Sequence, residues 1–113
     1  MIAFNVSRNA VVASQVSQAD TPRTRSRGLL GRNSLGRSEG LWIVPCPMIH
    51  TFFMKFAIDA VFLDSNFGVV RVLENLKPWR LSPWVFRAHS VLELAAGASS
   101  GAVAKGEKLE FRQ

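Results

Sequence analysis

The chain has no tyrosine and only one cysteine, Cys46, among its 113 residues. A lone thiol excludes any internal disulfide, so packing alone must hold the fold. Long apolar runs are missing too. The most apolar stretch, Thr51 to Leu63, carries Lys55 and Asp59 and falls well short of the roughly 20 residues that a membrane-spanning helix needs. The first residues, Met1 to Arg8, lack a basic head followed by an apolar block, which predicts no secretory leader and a cytoplasmic location. Acid is scarce at one end: residues 1–37 hold six arginines and a single acid, Asp20, whereas the remainder is nearly balanced within a total of +6. That local excess favours an acidic partner or, more plainly, a solvated face.

What is present is enough for a core. Hydrophobic residues make up 48% and charged residues 19%, which excludes general disorder, and eight Phe with three Trp favour dry packing. The chain shows no repeat, low-complexity tract or linker, so residues 1–113 are expected to form a single domain.

Ile2 to Ser7 and Ala10 to Val16 are apolar runs around Arg8-Asn9, which predicts a hairpin. Asp20-Thr21-Pro22 supplies a cap and a first-turn proline for a helix from Pro22 to about Leu30, with Gly31 as the stop and Leu29 and Leu30 as its core anchors. Gly40 to Val44 reads as a buried strand closed by Pro45 and Pro47. From Phe52 to Phe62 every even position is apolar, the two-residue period of extended backbone, with a break expected near Ala57. A turn at Asp64 to Gly68 and a strand from Val69 follow. Pro78 to Trp84 holds two prolines within the chain's turn-rich stretch and must be a loop. Further strands are expected from His89 to Gly97 and around Leu109 to Phe111. The sum is a mainly β (α+β) fold, a small β-sandwich or partly open barrel with one or two short helices.

Several blocks occur in order: Arg27-Gly-Leu-Leu-Gly-Arg32, Glu39-Gly-Leu-Trp42, Ile49 through Asp64, Val91-Leu-Glu-Leu-Ala-Ala-Gly97 and Gly106-Glu-Lys-Leu109. Over about residues 20–113 this series resembles the bacterial and archaeal domain-of-unknown-function family number 192. The resemblance implies a small, mainly β fold and no particular activity. Many members of that family are exported or lipid-anchored, and this sequence differs from them in showing no leader.

Two regions invite chemistry. Cys46-Pro-Met-Ile-His-Thr51 brings a thiol, a thioether and an imidazole together at a bend, donors suited to Cu(I) or Zn²⁺, with His89 as a further ligand candidate. The same Cys46, with His50 or His89 as base, would make a nucleophile if its thiol were acidic. The plainer reading is core packing. The second region, Lys77 to Arg87, places Trp79, Trp84, Arg80 and Arg87 on one loop, a composition typical of binding hot spots. Against it stands a lid in which the tryptophans fold inward under the arginines. Asp59 and Glu93 sit in apolar strands. Either could face a pocket, but backbone or arginine bonds that lock register are the expected partners.

The function expected from these features is a binding or accessory module that uses the Trp/Arg loop at one end of the barrel, with Trp79, Arg80, Trp84, Arg87, His50 and Asp59 as ligand-binding candidates. The partner would be a small molecule or a protein. Nucleic acid is disfavoured, because no recognised module is present and Arg23, Arg25 and Arg27 do not share one helix face. No cofactor signature is visible. The alternative is a small metal-binding or Cys/His-dependent enzyme centred on Cys46 and His50.

Overall fold

Short apolar runs separated by turn residues become eight strands and one short helix in the computed structural model, which describes residues 1–113. The first hairpin forms as expected: β1 (Ile2–Asn5) pairs antiparallel with β2 (Ala10–Ala13), and Asn9 takes a left-handed φ of 54° in the turn. Only Ser14 separates β2 from β3 (Gln15–Ala19), where the chain leaves one sheet and enters the other. The apolar run read as a single strand to Val16 is therefore divided between two sheets.

The helix α1 (Pro22–Arg27) is shorter than its composition predicts. Thr21 is its cap: the Thr24 N–H donates to Thr21 Oγ1 at 3.1 Å, and the Thr21 N–H donates back to Thr24 Oγ1 at 3.0 Å. Gly28, at φ 49°, ends it before Gly31 can. Leu29 is nonetheless buried and anchors the turn that follows. This helix is the crossover between β3 and β4 (Glu39–Ile43), which run parallel.

Thr51 to Ala57 corrects the expectation of a strand starting at Phe52. The Thr51 side chain is fixed from outside, donating to the Lys77 carbonyl at 2.6 Å and accepting from the Arg80 N–H at 2.9 Å. The chain then turns, with Met54 N–H donating to Thr51 O, and Phe53 lies at φ 65°. Extended pairing begins only with β5 (Ile58–Leu63). It is followed by β6 (Val69–Leu76), β7 (Ser90–Ala95) and β8 (Leu109–Arg112). One or two helices were expected, and α1 is the one that forms; Ser99 to Ala104 makes turns.

The strands form two sheets, β2-β1-β8 and β3-β4-β7-β5-β6. They are not closed into a barrel, although short contacts tie both edges: Met1 and Val16 exchange bonds at one, and Gly68 bridges Lys108 at the other. Register assigns the faces of the larger sheet. Trp42, Leu92 and Val61 are cross-strand partners, and Trp42 stacks on Phe111 of β8 at 4.0 Å, so this face meets the small sheet. Leu41, Glu93 and Ala60 are partners on the opposite face. The turn after α1 and the loop that follows β4 cover that second face. Because both faces are covered, every residue of β5 and β7 is buried, rather than every second one.

Candidate functional site

The covering of the second face is incomplete and leaves a cleft of about 380 Å³. Its walls are α1 with the turn to Leu30, and the bend from Pro45 to His50; Ile43, Met54 and Glu93 complete the lining. Such a volume lies within the range of small-molecule pockets. The bend is held by backbone bonds: Cys46 N–H donates to His89 O at 2.9 Å, and the Ile49 N–H donates to Ser82 Oγ at 2.9 Å.

Glu93 is the polar group at the floor. It is 3% exposed and makes no ion pair. Burial alone pushes its carboxyl up to about 8, with no hydrogen bond or neighbouring charge pulling the other way. No polar side-chain atom that is sealed from solvent lacks a partner, so the unbonded Glu93 carboxyl keeps an opening into the cleft. The expected register-locking bond from Arg80 or Arg87 does not form, since both arginines lie exposed on the far loop.

Asp59, the next strand's carboxylate, is different. Its side chain is fully buried and accepts from the N–H of Asn75 (2.9 Å), Gly97 (3.1 Å) and Ser99 (3.0 Å), and from Ser99 Oγ (2.5 Å). Burial raises its pKa, but these donors outweigh it and hold the group below the ordinary carboxylate range. Asp59 does not line the cleft; it ties the end of β6 to the turn after β7.

Cys46 and His50, read from the sequence as a metal or nucleophile pair, do line the cleft. Burial pushes the Cys46 thiol up to about 11, and its proton is donated to the Met48 carbonyl at 3.0 Å. A thiol in that state is a poor nucleophile. His50 is exposed, its Nδ1 accepting from the Phe52 N–H at 3.2 Å and its ring stacked on Phe52 at 5.2 Å. His89 is exposed, tied to the bend through its carbonyl. No three His, Cys, Asp or Glu side chains converge as metal ligands. The metal and Cys/His enzyme alternative therefore finds no support in the geometry.

The Trp/Arg loop lies outside the cleft and against its outer wall. Residues 79–85 run alongside 47–51, joined by Thr51 N–H to Arg80 O, Trp79 N–H to Thr51 O, Ser82 N–H to Ile49 O and Val85 N–H to Pro47 O, all at 2.8–2.9 Å. The rings face outward: Trp79 is 55% exposed, Trp84 67%, Phe86 80% and Phe53 71%. The inward-folded lid is thus corrected. Phe53 and Trp79 meet at 4.7 Å, and both hold positive φ, 65° and 66°, a conformation such residues adopt only under constraint. Arg87 turns away to a smaller depression with Asp64, Phe86 and Lys105. Sequence reading brought out the aromatic loop and the Cys46 bend and raised Glu93 as a group that could face a pocket, though it favoured a bonded, register-locking role, and it missed Arg25 and Met54 as cleft residues. The available signal was a carboxylate in β7 whose neighbours across the sheet, Leu41 and Ala60, offer no partner.

The model of the DUF192 family, described as "Uncharacterized ACR", matches residues 3–111. A UPF0127 protein of Pyrococcus horikoshii is 38% identical over 94 residues, covering 79% of each chain. Two solved structures share the fold. One, a protein of unknown function from Novosphingobium aromaticivorans, superposes with a TM-score of 0.82 at 20% identity, covering 97% of this chain and 82% of that one. The other, described as a candidate transcription regulator from Sinorhizobium meliloti, gives 0.79 at 23% identity, covering 96% and 89%. At those identities the likeness is one of architecture.

Proposed function

The chain belongs to the DUF192 family of uncharacterised proteins, and from that premise we propose that it is a binding module whose recognition surface is the outward-facing aromatic rim of residues 51–57 and 77–87. The observation that carries this reading is the exposure of Trp79, Trp84, Phe86 and Phe53 on loops cross-braced by backbone bonds. Exposed aromatic side chains on a rigid support are characteristic of interaction sites, and here Phe52, Phe53 and Trp79 form one exposed ring cluster. Charge supplies the class of partner. Residues 21–31, 45–57 and 77–86 carry Arg23, Arg25, Arg27, Lys55, Lys77 and Arg80 without one Asp or Glu. An acidic protein segment with apolar residues complements such a surface.

The test is capture of acidic, aromatic-containing peptides by the immobilised protein, read by the amount of labelled peptide retained. The variant Trp79→Ala/Trp84→Ala should weaken capture by at least about 30-fold, the effect of losing some 2 kcal/mol of hot-spot contact, with an unchanged melting temperature. Equal capture by that variant sinks the reading. Retention on duplex DNA with a steep salt dependence, in preference to the peptides, would replace it with nucleic-acid binding.

A further inference from the structure

We propose that the cleft above β7 is a binding site for a small primary amine, its ammonium group pairing with the Glu93 carboxylate and its carbon chain lying against Leu29, Ile43 and Met54. This site is separate from the aromatic rim and does not depend on it. The argument begins with cost. A carboxyl group that is 3% exposed and has no bonding partner weakens the fold, since a buried polar group left unpaired is expensive. The strands on either side place Leu41 and Ala60 opposite it, so the sheet provides no relief. What the group does have is an open cleft of about 380 Å³. Its missing interaction is a donor that enters from there.

The lining selects the donor's chemistry. Leu29, Ile43, Ile49 and Met54 are buried and apolar, and the sulfurs of Met48 and Met54 are polarisable neighbours for a cation. Two arginines and two ring or thiol groups share the cleft. Arg25 and Arg27 come from α1, and Cys46 and His50 from the bend. Arg25 is already committed, its guanidinium donating to the Asp20 and Val44 carbonyls at 3.2 and 3.5 Å. The Cys46 thiol is likewise committed, donating its hydrogen bond to Met48 O. None of them bonds Glu93. A small alkylammonium pairs with the ionised form of Glu93 and buries its own chain against the apolar lining.

Protons balance simply. In the empty protein at neutral pH the Glu93 carboxyl is largely protonated, and pairing with an ammonium ion expels that proton to solvent. Amine binding should therefore strengthen about tenfold between pH 6 and pH 7 and level off above pH 8.

The probes are n-butylamine, n-butanol and butyrate, each titrated against the whole chain with the Met48 and Met54 methyl resonances and the Glu93 carboxyl carbon as NMR readouts. Saturable shifts with butylamine at millimolar concentration, the stated pH dependence, and a drop of at least tenfold in Glu93→Gln support the site. The Glu93 carbon should also move to its ionised shift as amine is added at pH 7, a readout that needs no variant. Trp79→Ala/Trp84→Ala should bind butylamine as the natural chain does, which keeps this site's failure distinct from failure at the rim. A butyrate-selective response, equal binding by Glu93→Gln, or no response to any probe overturns the proposal.

Discussion

Asp59 and Glu93 are buried carboxylates one residue out of step on adjoining strands, β5 and β7, and therefore point to opposite faces of the same sheet. Four donors surround Asp59, and none reaches Glu93. Their effects on stability run in opposite directions with pH. Asp59 is held below its unfolded value, so it stabilises the fold above the ordinary carboxylate range and that contribution is lost as acid protonates it. Glu93 is raised to about 8, so the folded chain holds a proton that the unfolded chain has released. Stability consequently falls as pH climbs from about 5 to 8, by at most about 1.4 kcal/mol per pH unit. In thermal melts across that range, Glu93→Gln should gain on the natural chain with rising pH and be the more stable protein at pH 8. A constant difference between the two would show that Glu93 is ionised throughout.

Among the elements, the two loops that frame the site depend on each other more than on the sheet. Thr51 is fully buried and joins them with both its hydroxyl and its backbone. Thr51→Val keeps the shape and removes the hydroxyl, leaving the Arg80 N–H and the Lys77 carbonyl unpaired. A loss of about 1–3 kcal/mol is expected, with faster amide exchange at Trp79 and Arg80 and little change within β7. This bracing also explains what sequence could and could not show. The strands β1, β2, β4 and β7 were legible because their apolar runs end at turn residues. The even-numbered apolar positions from Phe52 gave the same periodic signal, yet Thr51's distant partners pull that stretch into turns. Only Met54 of its first members is buried; Phe52 and Phe53 point to solvent. The parallel pairing of β3 with β4 was hidden because Gln15–Ala19 is largely polar and its partner lies a whole crossover away. The cleft was hidden for the same reason. It joins α1, the Cys46 bend and Glu93, which lie far apart in sequence and carry no motif that links them. The aromatic rim was visible because one continuous loop contains most of it.

At the scale of the whole molecule, the chain's first and last strands are neighbours. β1 occupies the middle of the small sheet, with β8 antiparallel beside it and Ile2 opposite Arg112. A short glycine-rich linker from Gln113 to Met1, with new ends opened in the exposed turn at Ser65-Asn66, should give a circular permutant that folds and keeps the methyl and tryptophan signals of the natural chain. Loss of the folded spectrum would mean that the order in which the strands are made matters as much as their final pairing. The same adjacency governs how the molecule answers force. Tension applied between its two ends runs across the β1–β8 ladder and meets its hydrogen bonds singly, in sequence. Mechanically the domain is a zipper with its slider at the termini, weak to a pull there, however firmly the rest is packed.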